Sequence, residues 1–206
     1  MDQKRAILAL KAVLWLSALA PATWLIAGFF FDWLGANPIE KLTHVTGMTT
    51  LVLLLVTLSV TPVRRLTGWN PVIKLRRPLG LFAFFYACVH FGIWAGLDQG
   101  FTWAWMVEDI IERPYITVGF TALVLLTPLA VTSTKGWIRR LGKRWTVLHR
   151  AVYVAATLGV IHFYWLVKAD VRLPLFLAAC LVVLFGYRIA KAVEKRKARA
   201  GQTAKT

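Results

Sequence analysis

LGLFAFFYACVHFGIWAGL, running from Leu79 to Leu97, carries no charged side chain and a single histidine. Wound as a helix at 1.5 Å per residue, the stretch is about as long as a hydrocarbon core is thick, ~30 Å. Similar apolar blocks lie on either side of it, at Ala12–Phe31, Thr43–Thr61, Tyr115–Thr132, Leu148–Val167 and Leu173–Ala190. Each runs about 17–22 residues, close to the ~20 a membrane-spanning helix needs. Composition agrees: 58% of the residues are hydrophobic, ten are Trp and only 17% are charged, against about a quarter in a soluble domain. Pro62, Pro78, Pro114 and Pro174 fall at or near block ends, where a missing N–H costs least, and Pro128 lies inside the fourth block as a candidate kink. The fold expected is all-α, an integral membrane bundle of six transmembrane helices. One domain covers 1–206, its last stretch, 191–206, being a basic cytoplasmic tail. No internal repeat, low-complexity tract or soluble module stands out.

Charge gives the orientation. Of the 25 Lys and Arg, all but Lys41, Arg113, Lys168 and Arg172 fall before the first block, in the second and fourth connections, just inside the fifth block (Arg150), or near and after the end of the sixth block. Only an even number of spans produces that alternation. The positive-inside rule then puts the rich side in the cytoplasm, with both termini (N-in, C-in). The net charge of +16 therefore reads as topology and lipid anchoring; no module is present to offer it to nucleic acid. Ala18-Leu19-Ala20 resembles a signal-peptidase site, but Pro21 follows it and the apolar run continues to Phe31, so the first helix is expected to stay uncleaved. Cys88 and Cys180 lie inside apolar blocks without a CxxC partner and read as buried small hydrophobes.

Four histidines carry the chemistry. Ionisable side chains within a membrane are rare and mark function by default. His90 lies about 17 Å and His162 about 21 Å from the cytoplasmic ends of their helices, at 1.5 Å per residue. Two imidazoles at matched depth on separate helices suit a bis-imidazole haem, with the macrocycle between the helices. They equally suit hydrogen bonding across helices. Aromatic residues (Phe82, Phe84, Phe85, Tyr86, Phe91 and Trp94; Phe163, Tyr164 and Trp165) and small ones (Gly80, Ala83, Ala87 and Gly92; Ala155, Ala156 and Gly159) flank the two. Zinc is disfavoured, since no carboxylate or thiolate accompanies them. His149 lies almost at the cytoplasmic boundary, about 20 Å along the helix from His162, and cannot serve the same haem. The third helix offers no second histidine at that level, only Arg76, Arg77 and Pro78, so an inner site would be a one-histidine haem, a flavin or nothing. His44, near the outer boundary, could assist a haem, face a partner or pack. In the long outer connection, Trp103, Trp105, Glu108 and Asp109 read as interface anchors before docking residues.

Several stretches resemble one family: LTHVTG at 42–47, RRPLGL at 76–81, ERPYIT at 112–117, TST at 132–134 followed by LGKRW at 141–145, and LHRAVY at 148–153 leading to IHFYW at 161–165. They are similar to the MsrQ (YedZ) family, haem-binding membrane subunits of bacterial protein-methionine-sulfoxide reductase systems, and more distantly to the ferric reductase-like transmembrane domain. The resemblance implies electron transfer across the bacterial inner membrane through haem b, one or two, together with FMN. Electrons would come from a cytosolic flavin reductase or the quinone pool. They would go to a periplasmic molybdopterin methionine-sulfoxide reductase (MsrP-like), where repair of oxidised proteins takes place. It implies His90 and His162 as axial ligands of the haem iron, His149 as the inner haem ligand, and Arg77 as an FMN-phosphate contact, to which Arg76 is added on charge alone. No fused flavin or nicotinamide domain is present. The competing readings are a quinol-oxidising cytochrome b for another partner, and a non-redox transporter or assembly protein.

Overall fold

The computed structural model describes residues 3–203. Lys205 and the side chains of Lys4 and Arg199, counted in the charge pattern above, lie outside what is described. Among the described residues all regular structure is helical. Six helices are long and apolar enough to cross a membrane. The first is α1 (Gln3–Phe30) and the second α2 (Pro38–Thr67). The third is α3 (Arg76–Ile93), entered from a 3-10 segment at Asn70–Leu75 and extended by a π turn at Trp94–Asp98. After a surface helix, α4 (Trp103–Glu112), the fourth span is α5 (Pro114–Val131). Two short helices, α6 (Lys135–Leu141) and α7 (Lys143–Leu148), lead into α8 (Ala151–Leu166), and α9 (Arg172–Thr203) closes the chain.

Local chemistry explains several ends. Asn37 caps α2, accepting from the Glu40 N–H at 3.2 Å, with Pro38 in the first turn, and Gly68 closes the helix at φ 69°. Such a left-handed closure favours glycine, which has no Cβ to clash. Thr134 caps α6 by accepting from Trp137 N–H.

The bundle is built on two antiparallel pairs. α2 packs along α3, and α5 along α8, and the pairs then meet through α3 against α5 and α2 against α8. Leu54, Leu58, Ala83, Ala155 and Ala156 fill the centre. α1 leans on α2 and on the 3-10 segment, while α9 lies across α8 and α2. Outward-facing apolar side chains are common, among them Leu16 at 72% and Phe30 at 78% exposure, as expected of a surface that meets lipid rather than water.

Three expectations are corrected. Pro62 does not end the second span, because α2 continues five residues further to Thr67. Pro62 has no N–H for the Leu58 carbonyl one turn back, and Arg188 of α9 supplies the donor instead, its Nη2 standing 2.5 Å from that oxygen. The same guanidinium lies 5.3 Å from the Tyr153 ring, so a residue expected only to mark topology fastens three helices. Cys88 is exposed, on the outside of α3, and not buried as expected.

The third correction concerns repetition. Gly47-Met48-Thr49-Thr50-Leu51-Val52-Leu53-Leu54 on α2 matches Gly119-Phe120-Thr121-Ala122-Leu123-Val124-Leu125-Leu126 on α5, differing at only two positions. His90-Phe91 on α3 matches His162-Phe163 on α8 at the same offset of 72 residues. The two helix pairs are an internal repeat, one that is faint in the sequence because everything between the matching stretches has diverged.

Candidate functional site

Between the two helix pairs lies a cavity of about 650 Å³, lined by His44, His90 and His162 among mostly apolar residues. His90, from α3, has its Nδ1 2.9 Å from the Thr43 carbonyl on α2. His162, from α8, has its Nδ1 2.6 Å from the Tyr115 carbonyl on α5. A carbonyl only accepts, so each Nδ1 carries the proton and donates it, which leaves the Nε2 lone pair free on both rings. Among the described residues neither Nε2 has a hydrogen-bond partner. The ring centroids stand 6.1 Å apart with planes crossed at 84°.

That separation has chemical meaning. Two metal–imidazole bonds of about 2 Å each, with the distance from each nitrogen to its ring centre added, span roughly 6 Å. The pair therefore accommodates one metal atom bound by both rings, and the donors are neutral imidazoles in the tautomer that binding requires. Among the described residues no third His, Cys, Asp or Glu completes a cluster, which suits a metal whose remaining ligands come from a macrocycle. Ala87, Ala155 and Gly159 give the cavity width, and Phe91, Phe120 and Phe163 wall it.

The ferric reductase-like transmembrane component family matches residues 43–160, a range that holds most of α2, all of α3 and α5 and most of α8. Curated relatives match almost end to end. Two from Xanthomonas, of X. axonopodis pv. citri and X. campestris pv. campestris, are 46% and 45% identical over 95% and 97% of this chain and 92% and 94% of their own length. One from Herminiimonas arsenicoxydans is 49% identical over 91% of this chain and 87% of its own. All three bear the name protein-methionine-sulfoxide reductase heme-binding subunit MsrQ. The chain belongs to the MsrQ family. No solved structure matches it. Membership and six apolar helices together make it a multi-pass protein of the bacterial inner membrane.

The other expected site residues lie apart from the cavity. His149 sits in the turn between α7 and α8, stacked on Trp145 with centroids 3.9 Å apart. Its Nε2 is 3.1 Å from the Thr132 hydroxyl, whose own proton goes to the Pro128 carbonyl at 2.6 Å. The Trp145 indole N–H donates to the Thr132 carbonyl at 2.9 Å, which ties this turn to the end of α5. Arg76 is half-buried and Arg77 exposed at the start of α3, and among the described residues neither has an ion-pair or hydrogen-bond partner. By the repeat, Arg77 corresponds to His149, in the turn before α8.

The flanking aromatics divide by role. Phe91, Trp94 and Phe163 line the cavity. Tyr86, 1% exposed, serves α1 instead: its hydroxyl donates to the Ala18 carbonyl at 2.6 Å and accepts from the Ala22 N–H at 3.1 Å, beside Pro21. Phe82 packs edge-on against Trp15, and Phe85, Tyr164 and Trp165 face outward.

Three contributions were not expected from the sequence. Thr43 and Tyr115 act through backbone carbonyls, which leave no mark on a sequence. Asp109, read as an interface residue, is 8% exposed and gathers the polar groups at the α4 end of the cavity. It accepts from Trp94 Nε1 at 3.1 Å and Gln99 Nε2 at 2.9 Å, and pairs with Arg113 at 2.9 Å. Arg113 in turn reaches the Tyr115 hydroxyl at 3.4 Å, on the residue whose carbonyl holds His162. Trp103 and Trp105 are exposed, at 75% and 58%.

Asp109→Ala strands the Trp94 and Gln99 donors at a cost of about 1–3 kcal/mol. Backbone exchange in α4 and the π turn should then rise about tenfold or more, since each 1.4 kcal/mol is a decade. Hydrogen-exchange mass spectrometry reads this directly, and unchanged protection would show that Asp109 does not hold this end of the cavity.

Proposed function

We propose that this chain passes single electrons across the inner membrane through haem b held between His90 and His162, for a partner that reduces methionine sulfoxide. The observation that carries the reading is the pair of cavity imidazoles, their centroids 6.1 Å apart and each tied through Nδ1 so that Nε2 is left without a partner among the described residues, in a cavity lined by phenylalanines. The names of the relatives, heme-binding subunits of a protein-methionine-sulfoxide reductase, agree with it. Bound haem supplies a one-electron couple, and the polypeptide sets its working conditions.

The residues divide that work. His90 and His162 would hold the haem iron through their Nε2 atoms. The Thr43 and Tyr115 carbonyls fix their tautomers and raise their basicity as ligands. Phe91, Phe120 and Phe163 keep water from the cavity, and burial of this kind is one determinant of haem potential. Sulfoxide reduction consumes two electrons and two protons and releases water, so the site is used twice per repair. The bond-breaking step belongs to a periplasmic molybdopterin subunit (MsrP-like).

The same reading orients the chain with both termini in the cytoplasm, from the basic connections. Electrons enter there from a cytosolic flavin reductase or the quinone pool. Arg77, with Arg76 beside it, offers guanidinium donors to an FMN phosphate, a match of charge and geometry, and His149 would be the ligand of a second, inner haem iron. Rotation of its ring away from Thr132 would free Nε2 for that role.

The test is transmembrane delivery. Proteoliposomes holding the chain in one orientation are given flavin reductase and reductant on the basic-loop side, and the molybdopterin partner with methionine sulfoxide on the other. Methionine should form only when the chain is present, and sulfoxide reduction at the same rate without it would remove the proposal. Arg77→Ala should slow flavin-dependent reduction by about tenfold, the worth of one charge-assisted hydrogen bond, with haem content unchanged. Stopped-flow reduction at constant haem would show it, and unaltered kinetics would exclude Arg77 from flavin contact.

A further inference from the structure

Each cavity imidazole is held in the same two ways. Its Nδ1–H is tied to a backbone carbonyl on the neighbouring helix, and its face lies on a glycine one turn further along that helix. His90 bonds the Thr43 carbonyl and rests on Gly47, while His162 bonds the Tyr115 carbonyl and rests on Gly119. Each imidazole follows its carbonyl by 47 residues, the register the repeat imposes. The fit is close. A Cβ at Gly47 would stand 2.9 Å from His90 Cε1 and 3.0 Å from Nδ1, and one at Gly119 would stand 2.7 Å from His162 Nδ1 and 2.9 Å from Cε1. Carbon does not approach so near, so a side chain at either glycine forces its ring to turn or retreat.

A hydrogen bond along one edge and a wall against one face leave an imidazole little freedom to rotate about its own axis. Each ring plane is therefore set by its own helix pair, independently of the other ring, and the two planes cross at 84°. Ring orientation matters to a bound iron because each imidazole donates π density perpendicular to its plane. Parallel rings act on one iron d orbital and split the pair, whereas crossed rings act on both and leave them nearly equal in energy.

We propose that Gly47 and Gly119 are positioning residues, which together with the Thr43 and Tyr115 carbonyls hold the two axial imidazoles crossed and so fix the electronic character of the iron between them. The inference rests on the haem reading above and adds a property that haem binding alone does not require.

The test is low-temperature electron paramagnetic resonance of the oxidised, purified full chain, beside its haem content. Crossed planes give a highly anisotropic low-spin signal with one resolved low-field feature, and parallel planes give a rhombic signal with three. The wild-type chain should show the first. Gly119→Ala and Gly47→Ala should each move the low-field feature toward the rhombic position at retained haem. Gly186→Ala, where a Cβ meets nothing within 4 Å, should leave it in place. A rhombic wild-type spectrum overturns the inference while leaving haem ligation intact, and so does an unmoved signal in both glycine variants. A chain without haem overturns both readings. Should a glycine variant lose its haem altogether, the wild-type spectrum still decides, since it needs no substitution.

Discussion

His162→Ala should abolish the low-spin haem spectrum, and transmembrane electron transfer should fall to the level of a sample lacking the chain. The same holds for His90→Ala. The expectation of complete loss follows from geometry. The rings are 6.1 Å apart, and removing either leaves one carbonyl-tethered imidazole where the pair stood. His44 also lines the cavity, but its ring packs against Phe163 of α8, centroids 6.0 Å apart, and has no backbone carbonyl holding its tautomer among the hydrogen bonds of the described residues. His44→Ala is therefore expected to retain haem, which makes it the control for any general effect of deleting an imidazole from the membrane. Haem retained at full stoichiometry in either His90→Ala or His162→Ala would mean that the ligand pair has been misassigned.

Arg188→Leu has the second-largest effect, on stability. The variant removes donors from the Leu58 carbonyl at 2.5 Å and the Leu184 carbonyl at 3.1 Å. Leu184 retains its ordinary helical partner, whereas Leu58 does not, because the residue one turn on is Pro62. A carbonyl without a donor in apolar surroundings costs about 1–3 kcal/mol, and the loss of the charge held over Tyr153 adds about 0.5–1 kcal/mol. The sharper expectation is non-additivity. Pro62→Ala restores an N–H at the right place, so Arg188→Leu should cost at least about 1 kcal/mol less in that background. Thermal unfolding of the four chains in one detergent measures the coupling, and equal costs in both backgrounds would show that Arg188 stabilises by some other route.

Legibility in the sequence follows the length scale of the signal. The six spans are readable because a run of ~20 apolar residues matches the thickness of a hydrocarbon core and exceeds what most soluble elements carry. Their ends are less so. α2 runs past Pro62, where a side chain from α9, far along the chain, supplies the missing donor to the Leu58 carbonyl, and nothing near Pro62 records that. α4 gives no comparable signal, because a ten-residue surface helix is too short to cross a membrane. The tryptophans of the outer connection stand out by type, but their spacing alone does not reveal the helix that carries them.

The site is half visible. Depth counting along two helices brings His90 and His162 to one level, and the structure places their rings side by side. What holds the rings is backbone, at Thr43 and Tyr115, and a carbonyl is the same atom in every residue. Gly47 and Gly119 are the available clue, each lying 43 residues before its histidine, and aligning the chain with itself at an offset of 72 exposes them. Asp109 carries no such clue: an acid in an outer loop looks the same from the sequence whether it faces water or organises one end of a cavity.

The central claim is that one haem lies between His90 and His162, and the visible spectrum of the purified chain tests it most directly. Oxidised and dithionite-reduced spectra, with pyridine haemochrome quantification against protein, should show a sharp reduced α-band of b type and at least one haem per chain. A folded, haem-replete preparation that shows no such band would contradict the account, and would leave the six-helix bundle with its paired imidazoles but without the electron-transfer role.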